Sequence, residues 1–257
     1  MAFDEVEERY RAPALDKGLD ILELLAETEE GLSQAEIAKA LIRSPNEIYR
    51  MLDRLVRRGY IARTPTDRYE LTLKLFALAH RHAPMRRLVS QAVPILRDFA
   101  RNAGQSCHLA VYDRGEVIVV AQVDSPSYWG IAVRVGARVG LFDTGSGHIL
   151  LAYASPAERK LMAEEHEMLP LETRPADLES RLGDIVKRGF EQMESRQTPS
   201  VVNLAVPILG PHGSIIAALT CPYVQRLDTS SLDQQAVLKH LIASGNAISA
   251  NAGGAEH

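Results

Sequence analysis

Cysteine, long apolar runs and one-sided charge are all in short supply in this 257-residue sequence. Its two cysteines, Cys107 and Cys221, are far apart and make no metal-ligand spacing. That excludes a disulfide framework and predicts two buried free thiols on strands in a reducing compartment. No zinc-like spacing stands elsewhere, since His80 and His82 lie two apart and Cys107 and His108 are neighbours. No stretch approaches the roughly 20 apolar residues that cross a bilayer. The opening Met-Ala-Phe-Asp-Glu-Val-Glu-Glu-Arg is acidic and has no signal-peptide core, so a cytoplasmic protein without membrane partners is expected. The net charge is only −4, a balance that argues against global disorder. There is no repeat and no low-complexity tract. What is left is a chain long enough for one large or two ordinary domains with real cores.

The most informative stretch is Ser33 to Leu71. Ser33 followed by Glu36 forms a capping box ahead of the apolar-periodic Gln34–Leu41. A second box stands at Ser44 and Glu47, with Pro45 at the first helical position. The helix it opens carries Ile48, Met51, Leu52, Leu55 and Val56 at a period near 3.6 and stops at Gly59. Tyr60–Arg63 and Tyr69–Leu71 flank Thr64-Pro65-Thr66-Asp67-Arg68, a strand–turn–strand. Two helices and a hairpin make the winged helix–turn–helix, whose second helix is placed for the major groove.

The outward face of that second helix carries Asn46, Arg50, Arg54 and Arg57, three or four apart. Arginine can grip guanine O6/N7 in a bidentate way, and asparagine can do the same for adenine. From Arg43 to Arg68 there are seven arginines and three acids, a basic element on an acidic chain. The candidate DNA-binding set is Ser44, Asn46, Glu47, Tyr49, Arg50, Arg54, Arg57 and Arg68. The bland alternative is a solvated helix face with ordinary arginines.

Ahead of this unit, residues 1–12 look like a charged arm, and Leu15, Leu19, Ile21, Leu22 and Leu25 mark an amphipathic helix. After it, Leu71–His80 begins a linker helix that Pro84 ends, and Met85–Asn102 forms another helix with Pro94 as a kink or break. The period then changes to two. Ser106–Tyr112 and Glu116–Val123 surround Asp113-Arg114-Gly115, a hairpin signal, and Tyr128–Val135 is a third strand. Gly145-Ser146-Gly147 leads into a helix His148–Ala154, and Ser155-Pro156-Ala157-Glu158 opens the next, to about Glu165. Pro175–Arg188 is a helix closed by Gly189. Val201–Leu209 and Ser214–Val224 are strands, and Leu232–Ala250 is a final helix before a loose tail. The expected fold is α+β: a winged helix–turn–helix over 13–71, a linker helix over 72–84, and an antiparallel sheet with flanking helices over 85–250.

Several phrases, in this order, resemble the IclR family of bacterial transcriptional regulators. They are Ala14-Leu15-Asp16-Lys17-Gly18-Leu19-Asp20-Ile21-Leu22, Tyr49-Arg50-Met51-Leu52, Gly59-Tyr60-Ile61 and Asp67-Arg68-Tyr69-Glu70-Leu71. In the second half they are Arg134-Val135-Gly136-Ala137-Arg138, Thr144-Gly145-Ser146-Gly147-His148-Ile149-Leu150-Leu151-Ala152 and Asn203-Leu204-Ala205-Val206-Pro207. The resemblance covers about residues 13–250. It implies a homodimer or homotetramer that binds double-stranded operator DNA through a winged helix and a small metabolite, often a carboxylic acid, through a GAF-like domain. By the same resemblance, the effector-binding residues are Gly145, Ser146, Tyr128, Ile131, Val201, Asn203, Thr220 and Pro222. The sequence departs from the family pattern at Asn46-Glu47, at His148 and at Met193-Glu194-Ser195-Arg196, which bear on operator and effector choice.

The residues agree with part of this. Val201 and Asn203 share a strand face, as do Thr220 and Pro222, whereas residues 128 and 131 need a twist or bulge to do so. The turn at Gly145-Ser146-Gly147 offers free N–H groups to a carboxylate. His148 could add a cation for an acid, or be a satisfied or exposed histidine. Asn203 could bond protein, trapped water or ligand. Trp129, opposite Tyr128, suits core or subunit packing. No cofactor or metal is implied, and no catalytic residue is assigned. Asp143-Thr144-Gly145-Ser146-Gly147-His148 is not a nucleophile elbow, and adjacent residues cannot form a triad. The alternatives are an enzyme using the α+β domain, with the N-terminal part as a regulatory or dimerising module, and a winged helix that binds protein rather than DNA.

Overall fold

The computed structural model describes residues 12–79, 83–227 and 231–254. The expected arm, apart from residue 12, and the end of the tail lie outside these residues. Two compact units divide the chain, Met1–Ala83 and Pro84–His257.

The first unit runs α1 (Pro13–Ala26), β1 (Leu32–Ser33), α2 (Gln34–Ala40), α3 (Pro45–Arg57), β2 (Ile61–Arg63), β3 (Arg68–Leu71) and α4 (Lys74–Ala79). Its core is Ile21, Leu25, Ile37, Ala38, Ile48, Leu52, Ile61 and Tyr69. The apolar stripe of α3 therefore faces inward as its period requires. Residues 61–63 and 68–71 pair antiparallel as the wing. A short strand the sequence did not announce, β1, pairs with β3. In α1 the stripe divides: Ile21 and Leu25 are buried, but Leu15 and Leu19 are exposed. The linker helix starts at Lys74 rather than Leu71, because Thr72 bonds back to the carbonyls of Gly59 and Tyr60.

The second unit runs α5 (Ala83–Ala103), β4 (Cys107–Asp113), β5 (Glu116–Val123), β6 (Arg138–Val139), α6 (Gly145–Tyr153), α7 (Pro156–Glu165), α8 (Leu178–Arg188), β7 (Glu191–Glu194), β8 (Val202–Leu209), β9 (Ile215–Tyr223) and α9 (Gln234–Asn251). The sheet order is β6-β5-β4-β9-β8-β7, and every pairing is antiparallel. The β4–β5 turn places Arg114 and Gly115 at positive φ, as a two-residue hairpin turn demands. Pro94 does not break α5, whose Ala92, Leu96 and Phe99 stay buried against the sheet. The third expected strand does not form. Residues 124–137 run irregularly, and the chain rejoins β5 only near Gly136 and at Arg138–Val139. Alternation there marks a side turned to a cavity (Ile131, Val133) and a side turned to solvent, rather than a ladder.

Side-chain alternation gives the sheet two distinct faces. Leu109, Val111, Leu204, Val206, Leu219 and Cys221 pack on α5 and α9. Ala110, Ala205 and Ala218 face the other way, toward α6, α7 and α8. Their small side chains admit α6 close to the sheet. Both cysteines are free and buried, and burial pushes the Cys107 thiol up to about 12.

Candidate nucleic-acid interface and ligand cavity

In the first unit, α3 is held by its caps. The Glu47 carboxylate accepts from the Ser44 amide at 3.0 Å and pairs with Lys17 of α1 at 2.9 Å. Those bonds, the Ser44 amide first and Lys17 next, hold the Glu47 carboxyl down at about 2. Glu47 and Ser44 were expected to face DNA; here they fix the helix start and its seat on α1. Arg68 also differs from expectation. It opens β3 just after the wing's turn and donates to the carbonyls of Glu30 and Gly31 while pairing with Glu36 at 3.1 Å. Its guanidinium is engaged within the unit.

The remaining face is open. Asn46, Tyr49, Arg50, Arg54 and Arg57 are all exposed. Arg57 pairs with Asp53 one turn earlier. Asn46, Arg50 and Arg54 make no side-chain hydrogen bond or ion pair among the described residues. The tip of the wing adds Arg63, bonded to Asp67.

In the second unit a cavity of about 530 Å³ opens beside the N-terminus of α6. It lies where polar residues replace the alanines on the helix-side face of the sheet. His108 precedes Ala110 on β4, Asn203 precedes Ala205 on β8, and Thr220 and Pro222 follow Ala218 on β9. Register sets His108 opposite Thr220 and Asn203 opposite Pro222. Ile131, Gly145, Ser146 and Val201 complete the expected residues that line it. Thr144 caps α6, accepting from the Gly147 amide at 3.0 Å. The first-turn N–H groups of Gly145 and Ser146 have no intrahelical acceptor. A methyl at Gly145 would sit 3.3 Å from the Cβ atoms of Asn203 and Ala205, tighter than ordinary contact, so close packing favours glycine there.

Two expected effector residues lie elsewhere. Tyr128 is 85% exposed, off the cavity, with Arg226 over its ring. The irregular path of 124–137 turns it outward. Trp129 stands beside it, half-exposed. His148 is fully buried, with Nδ1 2.8 Å from Glu191 Oε2 and Nε2 2.7 Å from the Phe142 carbonyl. Both ring nitrogens thus have polar partners inside the domain, with the Glu191 carboxyl group beside Nδ1. A helix residue one position beyond Gly147 points into the domain, and so His148 cannot reach a cavity ligand.

Other residues line the cavity that the sequence did not single out: His108 and Asp143 in the interior, Arg138 and Arg196, and loop residues 169–172 and 195–198. His108 Nε2 lies 3.3 Å from Ser146 Oγ, which lies 2.8 Å from Thr220 Oγ1. Burial pushes the His108 ring down to about 4, so it is neutral. Among the described residues its Nδ1 is buried without a hydrogen-bond partner, as is Asp143 Oδ1. Burial first, and then the Glu172 charge, raise the Asp143 carboxyl. A polar histidine on the alanine side of a buried strand was the signal for His108.

A DNA-reading winged helix joined to a ligand-binding α+β domain defines a class: ligand-responsive transcriptional regulators. Comparison with known proteins agrees. The model of the bacterial transcriptional regulator IclR C-terminal domain matches residues 80–250, and that of the IclR helix-turn-helix domain matches residues 14–65. The chain is 31% identical to the HTH-type transcriptional regulator BhcR of Paracoccus denitrificans (strain Pd 1222), over 80% of this chain and 76% of that one. It is 27% identical to the HTH-type transcriptional regulator KdgR of Escherichia coli (strain K12), over 88% of each. Among solved structures, an IclR homolog from Microbacterium hydrocarbonoxydans complexed with 4-hydroxybenzoate superimposes with a TM-score of 0.77 at 23% identity, covering 93% of this chain and 98% of that one. The protein belongs to the IclR family of transcriptional regulators, with an N-terminal DNA-binding domain and a C-terminal effector-binding domain.

Proposed function

We propose that the protein reads a double-stranded operator with the exposed face of α3, chiefly Arg50, with Asn46 and Arg54 beside it. We further propose that its cavity takes a small organic acid that shifts operator affinity. The single observation that carries the first part is the open, unpaired guanidinium and amide row on α3, because base readout needs such groups free of internal partners. The second part rests on a partly open cavity lined by hydroxyls, an amide and the N-terminus of α6, and on the 4-hydroxybenzoate complex of the Microbacterium homolog. The acting species is a homodimer or homotetramer, so that two winged helices meet two half-sites about one helical turn, or a multiple, apart. The domains run 13–71 for DNA, 72–84 for the linker and 85–250 for the effector. The ligand can shift the DNA-binding population by no more than its differential affinity for the two states. The protein works in the cytoplasm by binding rather than turnover. No helix among the described residues is long and apolar enough to cross a membrane.

Selection of duplexes from a random library by the full-length protein tests the reading. One enriched two-fold motif whose affinity falls with salt is expected. An unenriched library would overturn it. The Ser146–His108 contact raises a second reading, a serine hydrolase. His108 is a poor base at about 4, and no group orients its Nδ1. Hydrolysis of p-nitrophenyl acetate that Ser146→Ala abolishes would favour that reading.

A further inference from the structure

The second unit buries three carboxylates near the N-terminus of α6, and two are saturated. Glu172 accepts from the amides of Phe142 at 2.7 Å and Leu169 at 3.0 Å and from His166 at 2.9 Å. Glu191 accepts from His148 at 2.8 Å and the Gln192 amide at 2.7 Å, and pairs with Arg188. Those bonds outweigh desolvation and hold both carboxyls below their ordinary value. Asp143 is different. It is 5% exposed and lines the cavity, yet among the described residues Oδ1 has no partner, and the carboxylate otherwise has its own backbone amide and the Gln197 side-chain amide, 3.5 Å from Oδ2. A buried carboxylate left so short of donors is costly unless something else supplies them.

The charges of Arg196 and His148 pull the Asp143 carboxyl down from a distance, but among the described residues neither makes a hydrogen bond or ion pair with it. Arg138 pairs with Glu116 at 2.9 Å. Arg196 lines the cavity and is exposed, and it makes no ion pair among the described residues. A methyl at Gly140 would fall on Asp143 Oδ1 and lie 3.1 Å from Glu172 Oε1, so two carboxylates converge on one point. Such a pair attracts a cation more strongly than a neutral hydroxyl. Elsewhere the cavity is lined by uncharged polar groups: His108, Ser146, Thr220, Asn203 and the amides that open α6. That region suits an acid group.

We infer that the effector is dipolar, an amino acid–type molecule whose ammonium group is received by Asp143 while its acid group lies toward His108 and the start of α6. This rests on the cavity being the effector site, and it narrows the ligand from acids in general to acids that carry an amine.

Matched sets that share a skeleton test it on the full-length protein. They are L-aspartate, L-malate and succinate; γ-aminobutyrate, γ-hydroxybutyrate and butyrate; and 4-(aminomethyl)benzoate, 4-(hydroxymethyl)benzoate and 4-methylbenzoate. Affinities come from calorimetry after a thermal-shift screen. In at least one set the ammonium member binds at least about tenfold more tightly than its two analogues. Asp143→Asn, isosteric and relieved of a buried charge, abolishes that preference while leaving the hydroxyl member's affinity nearly unchanged. If Asp143→Asn melts well below the parent, Asp143→Ser takes its place. Preference for hydroxyl or unsubstituted acids, or an ammonium preference that survives the loss of Asp143, overturns the dipolar ligand and leaves the cavity as an effector site. No binding by any member at millimolar concentration overturns both.

Discussion

Replacing His108 with asparagine should remove a loss of stability that the parent protein suffers as the solution is acidified from about pH 6.5 to about pH 4. The ring sits on β4, buried, and burial holds its folded value at about 4 against an ordinary value of 6.5. In the unfolded chain it takes up a proton near the ordinary value. Between the two values the unfolded state therefore binds more protons than the folded state, and stability falls as pH falls. At about 1.36 kcal/mol per pH unit, the difference amounts to about 3 kcal/mol by pH 4. Glu172 and Glu191 are depressed carboxylates, and their contributions fade only at more acidic pH, below about 4.5. Above that, the raised Asp143 carboxyl acts in the opposite sense, adding stability as pH falls, so the difference between parent and variant isolates His108. Urea midpoints at stepped pH, followed by the fluorescence of Trp129, measure it. Trp129 is the one tryptophan of the chain and lies in the unit that holds His108. His108→Asn should flatten the slope between pH 6.5 and 4.5 even if its absolute stability is lower. An acid limb as steep as the parent's would show that the ring is hydrated or charged in the folded protein.

Glu191→Leu strips the buried His148 of its counter-ion and should cost about 3–5 kcal/mol by urea denaturation; a change under about 1 kcal/mol would deny the ion pair. Thr220→Val, whose hydroxyl bonds Ser146 in the cavity, should weaken the ligand's effect on operator binding and leave binding without ligand unchanged; an intact response in a gel-shift assay would displace the site. Arg57→Ala, an exposed Asp53 partner, should weaken all duplexes alike and reduce the salt slope by about one; a change in sequence preference would make it a base reader.

The first unit was legible because its signals are local. Two capping boxes, one amphipathic stripe and a proline–aspartate turn each act within a few residues, and they delivered α2, α3 and the wing. The second unit was legible where period two or a cap dictated the element, as at β4, β5, α7 and β9. It failed where an element depends on a distant partner. Residues 128–135 alternate like a strand but have no ladder to join, so Tyr128 turned outward. His148 carried a plausible charge whose destination, Glu191, lies 43 residues on. Of the candidate site, the strand residues on the α6 side were given by the family resemblance, with alternation adding that Val201 and Asn203, and Thr220 and Pro222, share a face. Asp143 and the loops at 169–172 and 195–198 were not, since only the folded chain gathers them around one space.

The account stands or falls on what Arg50 does. Fluorescence anisotropy with the selected operator and a scrambled duplex, at one fixed salt concentration, compares the parent with Arg50→Ala. Loss of a bidentate base contact should weaken operator binding by about 1–3 kcal/mol and leave the scrambled duplex far less affected, so that discrimination shrinks. Equal affinities for both proteins on both duplexes would mean that the open face of α3 does not read DNA.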